Sequence, residues 1–208
     1  MSLFITFEGG EGAGKSTQIS TLSERLRAAG SNLVVTREPG GTPEAEEVRS
    51  LLVNGDAKRW SPEAEALLNY AARDHHLRNV IRPALANGAI VLCDRFMDST
   101  RVYQGYAGGC PMSFVDTLET TIVGETRPHL TLIFDLDPEV GLARAAARSN
   151  GRENRYESKG LAHHTLIRDG FRAIAKAEPE RCRLIDASMP ESEVARAVWN
   201  AVKDKTGG

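Results

Sequence analysis

Short apolar runs alternate with longer amphipathic stretches along this chain. Leu3–Glu8, Asn32–Arg37, Ala89–Cys93, His129–Leu136 and Arg183–Ala187 have the length and composition of buried strands. Between them, apolar residues recur at helical spacing. Lys15–Ala29 places Ile19, Leu22 and Leu26 on one face, and Gly30 sits where a helix-ending glycine belongs. Glu44–Val53 predicts a helix with Val48, Leu51 and Leu52 inward. Ser61 and Pro62 form a helix start, serine capping and proline in the first turn. The long helix that follows runs through Leu67, Leu68, Ala71 and Leu77 until Pro83 breaks or kinks it. Phe96–Gly109 predicts an irregular segment that turns helical in part, and Ser149–Lys159 a mobile polar surface segment. Phe114–Val123, Glu139–Arg148, Leu161–Ala177 and Glu191–Lys203 predict further helices. Strands alternating with helices predict an α/β fold of one domain over 1–208, a five-stranded parallel sheet with helices on both faces.

Composition narrows the partners. The 208 residues carry 26 Lys and Arg against 28 Asp and Glu, a formal net charge of −2. A general nucleic-acid binder would show a basic excess, so no nucleic-acid partner is expected. No apolar run is long enough to span a membrane. Met1–Glu8 lacks the basic start and apolar centre of a signal peptide. Cys93, Cys110 and Cys182 are spaced like neither a disulfide framework nor a zinc site, so a reducing cytoplasmic setting is expected. The adjacent pairs His75–His76 and His163–His164 point two ways on a helix and read as solvated surface.

The chemistry starts at Phe7–Thr17. Gly9, Gly14, Lys15 and Ser16 match G-x-x-x-x-G-K-[ST], with a strand before and a helix after. Glycines let the backbone wrap closely and aim N–H groups at phosphate oxygens, and the helix N-terminus adds partial positive charge. Lys15 can reach the β- and γ-phosphates, and the Ser16 hydroxyl can ligate Mg²⁺. Gly9, Gly10, Glu11, Gly12, Ala13, Gly14, Lys15, Ser16 and Thr17 are therefore the expected site for ATP. In a parallel sheet, ligands gather at the carboxyl ends of strands. Arg37 and the pair Asp94–Arg95 stand at such ends, and Arg73 on the long helix can line the same crevice. Arginine forks suit an anionic, phosphate-bearing acceptor.

In order along the chain, FEGGEGAGKST, TREPGGT, YAARDHH, DRFMDSTRVYQG, LDPEVGLAR and IDA resemble the bacterial thymidylate kinase family from about Leu3 to Ala187. The resemblance implies a three-layer P-loop kinase fold, transfer of the γ-phosphoryl group of ATP to dTMP with Mg²⁺, and a homodimer. It implies that Glu11 faces the acceptor 3′-hydroxyl, that Glu8 supports the metal site, and that Asp94 lies near the metal beside Ser16. Arg95 would hold the acceptor 5′-phosphate with Arg37 nearby. Arg73 would bond the thymine carbonyl, Thr100 and Gln104 would lie near the base, and Tyr103 under the deoxyribose. Arg148, Arg152 and Arg155 would belong to a lid segment around 148–159. That role also has a physical basis. Phosphoryl transfer needs positive charge and exclusion of water, and Gly10–Ala13 supplies no basic side chain. The chain departs from the family in having Asn154 before Arg155, and Asn69 where an aromatic commonly stacks on thymine.

Two rival readings remain at this stage. One is another nucleoside monophosphate or deoxynucleoside kinase on the same fold. The other is a nucleotide-dependent switch or binding module, which in a guanine-nucleotide form needs an N-K-x-D base-reading motif that does not occur.

Overall fold

Leu3–Gly9 (β1) is covered on both faces, so all seven residues are buried and the strand reads as an unbroken apolar run. The computed structural model, which describes residues 2–56, 59–148 and 159–206, places β1 at the centre of a five-stranded sheet. The other strands are Leu33–Arg37 (β2), Ile90–Asp94 (β3), Leu130–Asp135 (β4) and Cys182–Asp186 (β5), in the order β2-β3-β1-β4-β5. All four pairings are parallel. Register sets Arg37 opposite Asp94, and Asp94 opposite Phe7, so three strands end level at one edge.

The period of two along β1 divides the core. Leu3, Ile5 and Phe7 pack with Ile19, Leu22 and Leu26 of Lys15–Ala28 (α1) and with Val194 and Val198 of Glu191–Thr206 (α9). Phe4 faces the other way, onto Ala66 and Tyr70 of Pro62–His76 (α3) and onto Val115 of Met112–Ile122 (α6). Leu161–Ala177 (α8) covers the end of that second face through Ile167, Phe171 and Ile174. Pro43–Val53 (α2), Arg82–Ala86 (α4), Met97–Thr100 (α5) and Pro138–Arg148 (α7) complete the helices among the described residues. None of these helices is long and apolar enough to cross a membrane.

Five local expectations change. The inward residues of α2 are Ala45 and Leu52, while Leu51 is exposed. The buried face of α3 is largely polar, with Asn69, Arg73 and His76 inside and Leu67 outside. Pro83 does not break the helix, which continues through Arg82–Ala86. A π-helical turn, Leu77–Ile81, precedes it; the Arg82 N–H bonds Leu77 O five residues back, and the widened turn carries the chain past the donor that proline lacks. Phe96–Gly109 is helical from its start, because α5 runs straight into a second π-helical stretch, Arg101–Tyr106. His76 and His164 are buried, not solvated surface. All three cysteines are buried and free.

A polar seam crosses the second core face. The Thr6 and Thr131 hydroxyls meet at 2.8 Å. Arg181 bonds Thr131 and grips both oxygens of Asp98, at 2.7 and 2.9 Å. Asp98 is wholly buried, so this pair fixes α5 against β4 and β5. Removing the Asp98 charge leaves Arg181 with Glu178 alone, at 3.0 Å, as an ion-pair partner among the described residues. Asp98→Asn is expected to cost about 3 kcal/mol, read as a lower urea midpoint at unchanged slope; a loss below about 1 kcal/mol would mean that Glu178 alone suffices for Arg181.

Candidate active site

The phosphate loop forms where β1 ends. Gly9, Gly12 and Gly14 have φ of 133°, 67° and 84°, and Gly14 is the residue from which α1 starts. A Cβ on Gly12 would strike the carbonyl of Gly141 in α7, and one on Gly141 would strike the carbonyl of Glu11. The loop and α7 therefore touch backbone to backbone, and the sequence reading missed Gly141. Lys15 folds back along its own loop, its Nζ donating to Gly9 O at 3.1 Å and Gly10 O at 2.8 Å. Burial and the Arg95 charge lower its ammonium to about 8.

Arg95 occupies the turn after β3 at φ 66°, in the left-handed region where a side chain is unusual. Glu8 holds that turn from beneath. Its Oε1 accepts from Phe96 N at 2.8 Å and Ser99 N at 3.4 Å, and its Oε2 from Ser99 Oγ at 2.6 Å. Burial, with the Asp98 carboxylate behind it, pushes the Glu8 carboxyl well above the usual carboxylate range. The resemblance expects Glu8 to support the metal site; its oxygens brace the Arg95 turn, and Glu8 is not among the residues that line the crevice.

The Arg95 guanidinium reaches Gly9 O at 3.0 Å, Ser99 Oγ at 3.3 Å and Glu11 Oε1 at 2.8 Å. It lies 5.0 Å from the centre of the Tyr103 ring, whose hydroxyl donates to the same Glu11 oxygen at 3.0 Å. Burial alone would raise the Glu11 carboxyl. The Arg95 and Lys15 charges and the Tyr103 hydroxyl outweigh burial and hold it at about 2.

A crevice opens over this floor, lined by Glu11, Lys15, Ser16, Arg37, Arg49, Asp94 and Arg95 among others. Arg37 pairs with Glu46 at 3.1 Å on the exposed rim. Arg49 of α2 was not foreseen; only the fold brings that helix over the strand ends, and Arg49 donates to Pro39 O at 3.1 Å. Further along, Arg73 is buried, with Nε on Glu38 Oε2 at 2.7 Å and both terminal nitrogens 3.2 Å from Thr100 Oγ1. Gln104 Nε2 donates to Glu65 Oε2 at 2.9 Å. Asn69 turns back on its own helix, donating to Glu65 O at 2.8 Å. The sequence reading had no signal for Glu38, His76 or Glu65 in this cluster. Arg152, Asn154 and Arg155 lie outside the described residues, and α7 ends at Arg148, whose side chain is not described.

Among the described residues, Ser16 and Asp94 are the pair placed to help hold a divalent cation. Ser16 Oγ donates to Asp94 Oδ2 at 3.2 Å, and Asp94 Oδ1 is buried with no partner. Among the described residues no group of three or more His, Cys, Asp or Glu could hold a metal by itself. One carboxylate and one hydroxyl suit Mg²⁺, which keeps waters and shares its shell with substrate phosphates.

The lowered Lys15 value carries a pH consequence. Because the free enzyme loses this charge as pH rises through about 8, affinity for ATP is expected to fall over that interval, since phosphate binds the ammonium form. Calorimetric titration of ATP between pH 7 and about 9.5 reads this directly; a level affinity would show that Lys15 stays charged.

Comparison with known proteins agrees with this geometry. A family model described as thymidylate kinase matches residues 7–198. A thymidylate kinase of Caulobacter vibrioides is 57% identical over 204 residues, 98% of this chain and 97% of that protein. A thymidylate kinase of Nitrobacter winogradskyi is 51% identical over 203 residues, 97% of this chain and 88% of that protein. The crystal structure of thymidylate kinase from Ehrlichia chaffeensis matches with a TM-score of 0.77 at 35% identity, covering 97% of this chain and 98% of the other. With a phosphate loop, an arginine turn beside it and relatives aligned along nearly their whole length, this chain belongs to the thymidylate kinase family.

Proposed function

We propose that the chain moves the γ-phosphoryl group of ATP to the 5′-phosphate of dTMP, giving dTDP, with Mg²⁺ seated at Ser16 and Asp94. One observation carries this reading. Lys15 Nζ and Arg95 Nη1 donate to the same carbonyl, Gly9 O, at 3.1 and 3.0 Å. A donor-side cation and an acceptor-side cation therefore stand side by side. Two like charges held together in a buried place favour an anion between them, and the phosphoryl group in transit is that anion.

The residues then divide the work. Lys15 and the loop N–H groups hold the donor phosphates. Arg95, with Arg37 and Arg49 above it, holds the acceptor phosphate and sets it in line. Glu11, kept ionised by Arg95 and Lys15, accepts from the sugar 3′-hydroxyl, and Tyr103 packs against the sugar where a 2′-hydroxyl would need room. Arg73, Thr100 and Gln104 read the base by hydrogen bonds, with Asn69 offering no aromatic face. Ser16 and Asp94 would hold Mg²⁺, which would supply charge neutralisation to the donor phosphates. The loop has no base between Gly9 and Gly14, so Arg148, Arg152 and Arg155 are proposed to supply charge to the transferred group.

Homodimer formation and cytoplasmic residence are further parts of the proposal. Exposed Leu51 on α2 and Leu67 on α3 support the first, and three free, buried cysteines the second.

The test is a panel of nucleoside monophosphates with ATP and Mg²⁺, reading diphosphate product. dTMP is expected to give the highest kcat/KM, and in the same assay Lys15→Ala is expected to lose nearly all transfer while keeping its circular dichroism. Alanine at Arg148, Arg152 or Arg155 should lower kcat more than it raises KM at one or more positions. Faster turnover of dCMP, UMP or AMP would transfer the chain to the general nucleotide-kinase reading.

A further inference from the structure

The loop after β2 is tied to α3 by buried side chains, two of which, Glu38 and His76, have no part in the proposed reaction. Glu38 is 4% exposed, and both of its oxygens are engaged. Oε2 accepts from Arg73 Nε at 2.7 Å, and Oε1 meets His76 Nδ1 at 2.9 Å. The other imidazole nitrogen meets Thr36 Oγ1 at 2.7 Å. Gly41 lies so close to the imidazole that a Cβ there would collide with it. The chain Thr36–His76–Glu38–Arg73 therefore has no slack.

The consequence falls on Arg73. Its guanidinium lies 4.5 Å from the Tyr70 ring centre and 5.0 Å from that of Phe96, which restricts its plane. Rotation within that plane is fixed by the Glu38 bond at Nε and by Thr100 at the two terminal nitrogens. Of the five N–H groups of a guanidinium, these bonds take three, and the remaining two point where Glu38 sets them. A guanidinium donates and never accepts. Correctly aimed, it rewards a ring oxygen and penalises an amino group at the same position.

We propose that Glu38, braced by His76, is a positioning residue that aims the Arg73 fork at the acceptor base and so sets the preference for a 4-keto over a 4-amino pyrimidine. This deepens the proposed reaction and rests on it.

Steady-state kinetics with dTMP and dCMP test it, on wild type, Glu38→Gln, Arg73→Ala and the double variant. Glu38→Gln is expected to raise KM for dTMP roughly tenfold or more, with kcat held within about threefold and KM for ATP unmoved. The dTMP:dCMP ratio of kcat/KM should fall by roughly the same factor as KM rises. In the Arg73→Ala background, Glu38→Gln should add less than about twofold, because its effect runs through Arg73. If kcat/KM falls equally for both substrates, or if the two substitutions act additively, Glu38 is merely structural and the proposal is overturned. Should Glu38→Gln fail to fold, His76→Gln removes only the brace, and an unchanged dTMP:dCMP ratio in that variant overturns the proposal equally. A wild type that does not prefer dTMP to dCMP removes the reaction assignment first, and the two failures are told apart by the wild-type ratio alone.

Discussion

One backbone carbonyl organises this site. Gly9 O accepts from Lys15 of the phosphate loop and from Arg95 of the β3 turn. Its direction depends on a glycine: φ is 133°, and a Cβ would press on the Phe134 carbonyl of the neighbouring strand. Parallel register then sets Arg95 beside the loop, because Phe7, two residues before Gly9, pairs with Asp94, one residue before Arg95. Two cations so placed repel each other, and the lowered Lys15 value reports that repulsion together with burial. Glu11, its oxygen 2.8 Å from Arg95, offsets part of that repulsion in the free protein.

Buried carboxyl groups beneath the sheet edge hold those arginines and their turns in place. Glu8 supports the Arg95 turn through Phe96 and Ser99. Glu38 holds Arg73 through Nε. Asp98 holds Arg181, which anchors the segment leading to Thr100 and Tyr103. In each case a buried carboxyl group fixes a cation or a turn, while Lys15, Arg37, Arg49 and Arg95 line the crevice together with Glu11, Glu38 and Asp94.

Much of this was legible in the sequence because it is local. Continuous apolar runs marked the strands, since both faces of the sheet are covered. The phosphate loop was legible because glycine spacing, lysine and serine act within one turn of chain. Arg95 was legible from its place at a strand end. What failed depends on distant partners. His76 looked like surface because its neighbour is also histidine; Glu38 and Thr36, forty residues earlier, make it core. Leu51 and Leu67 looked inward on apolar character alone, while the fold buries Asn69 and Arg73 instead. Gly141 carried no motif, and only the approach of α7 to the loop explains it. The π-helical turns before Pro83 and after Thr100 have no period that sequence patterning detects.

The central claim is that Arg95 grips the acceptor phosphate beside Lys15, independently of the rest of the acceptor. Isothermal titration of dTMP and of thymidine into wild type and Arg95→Gln tests it most directly. The account predicts that the variant loses affinity for dTMP by roughly tenfold to a hundredfold, while thymidine, which has no phosphate, binds both proteins alike. Equal losses for the two ligands, or none for dTMP, would contradict it.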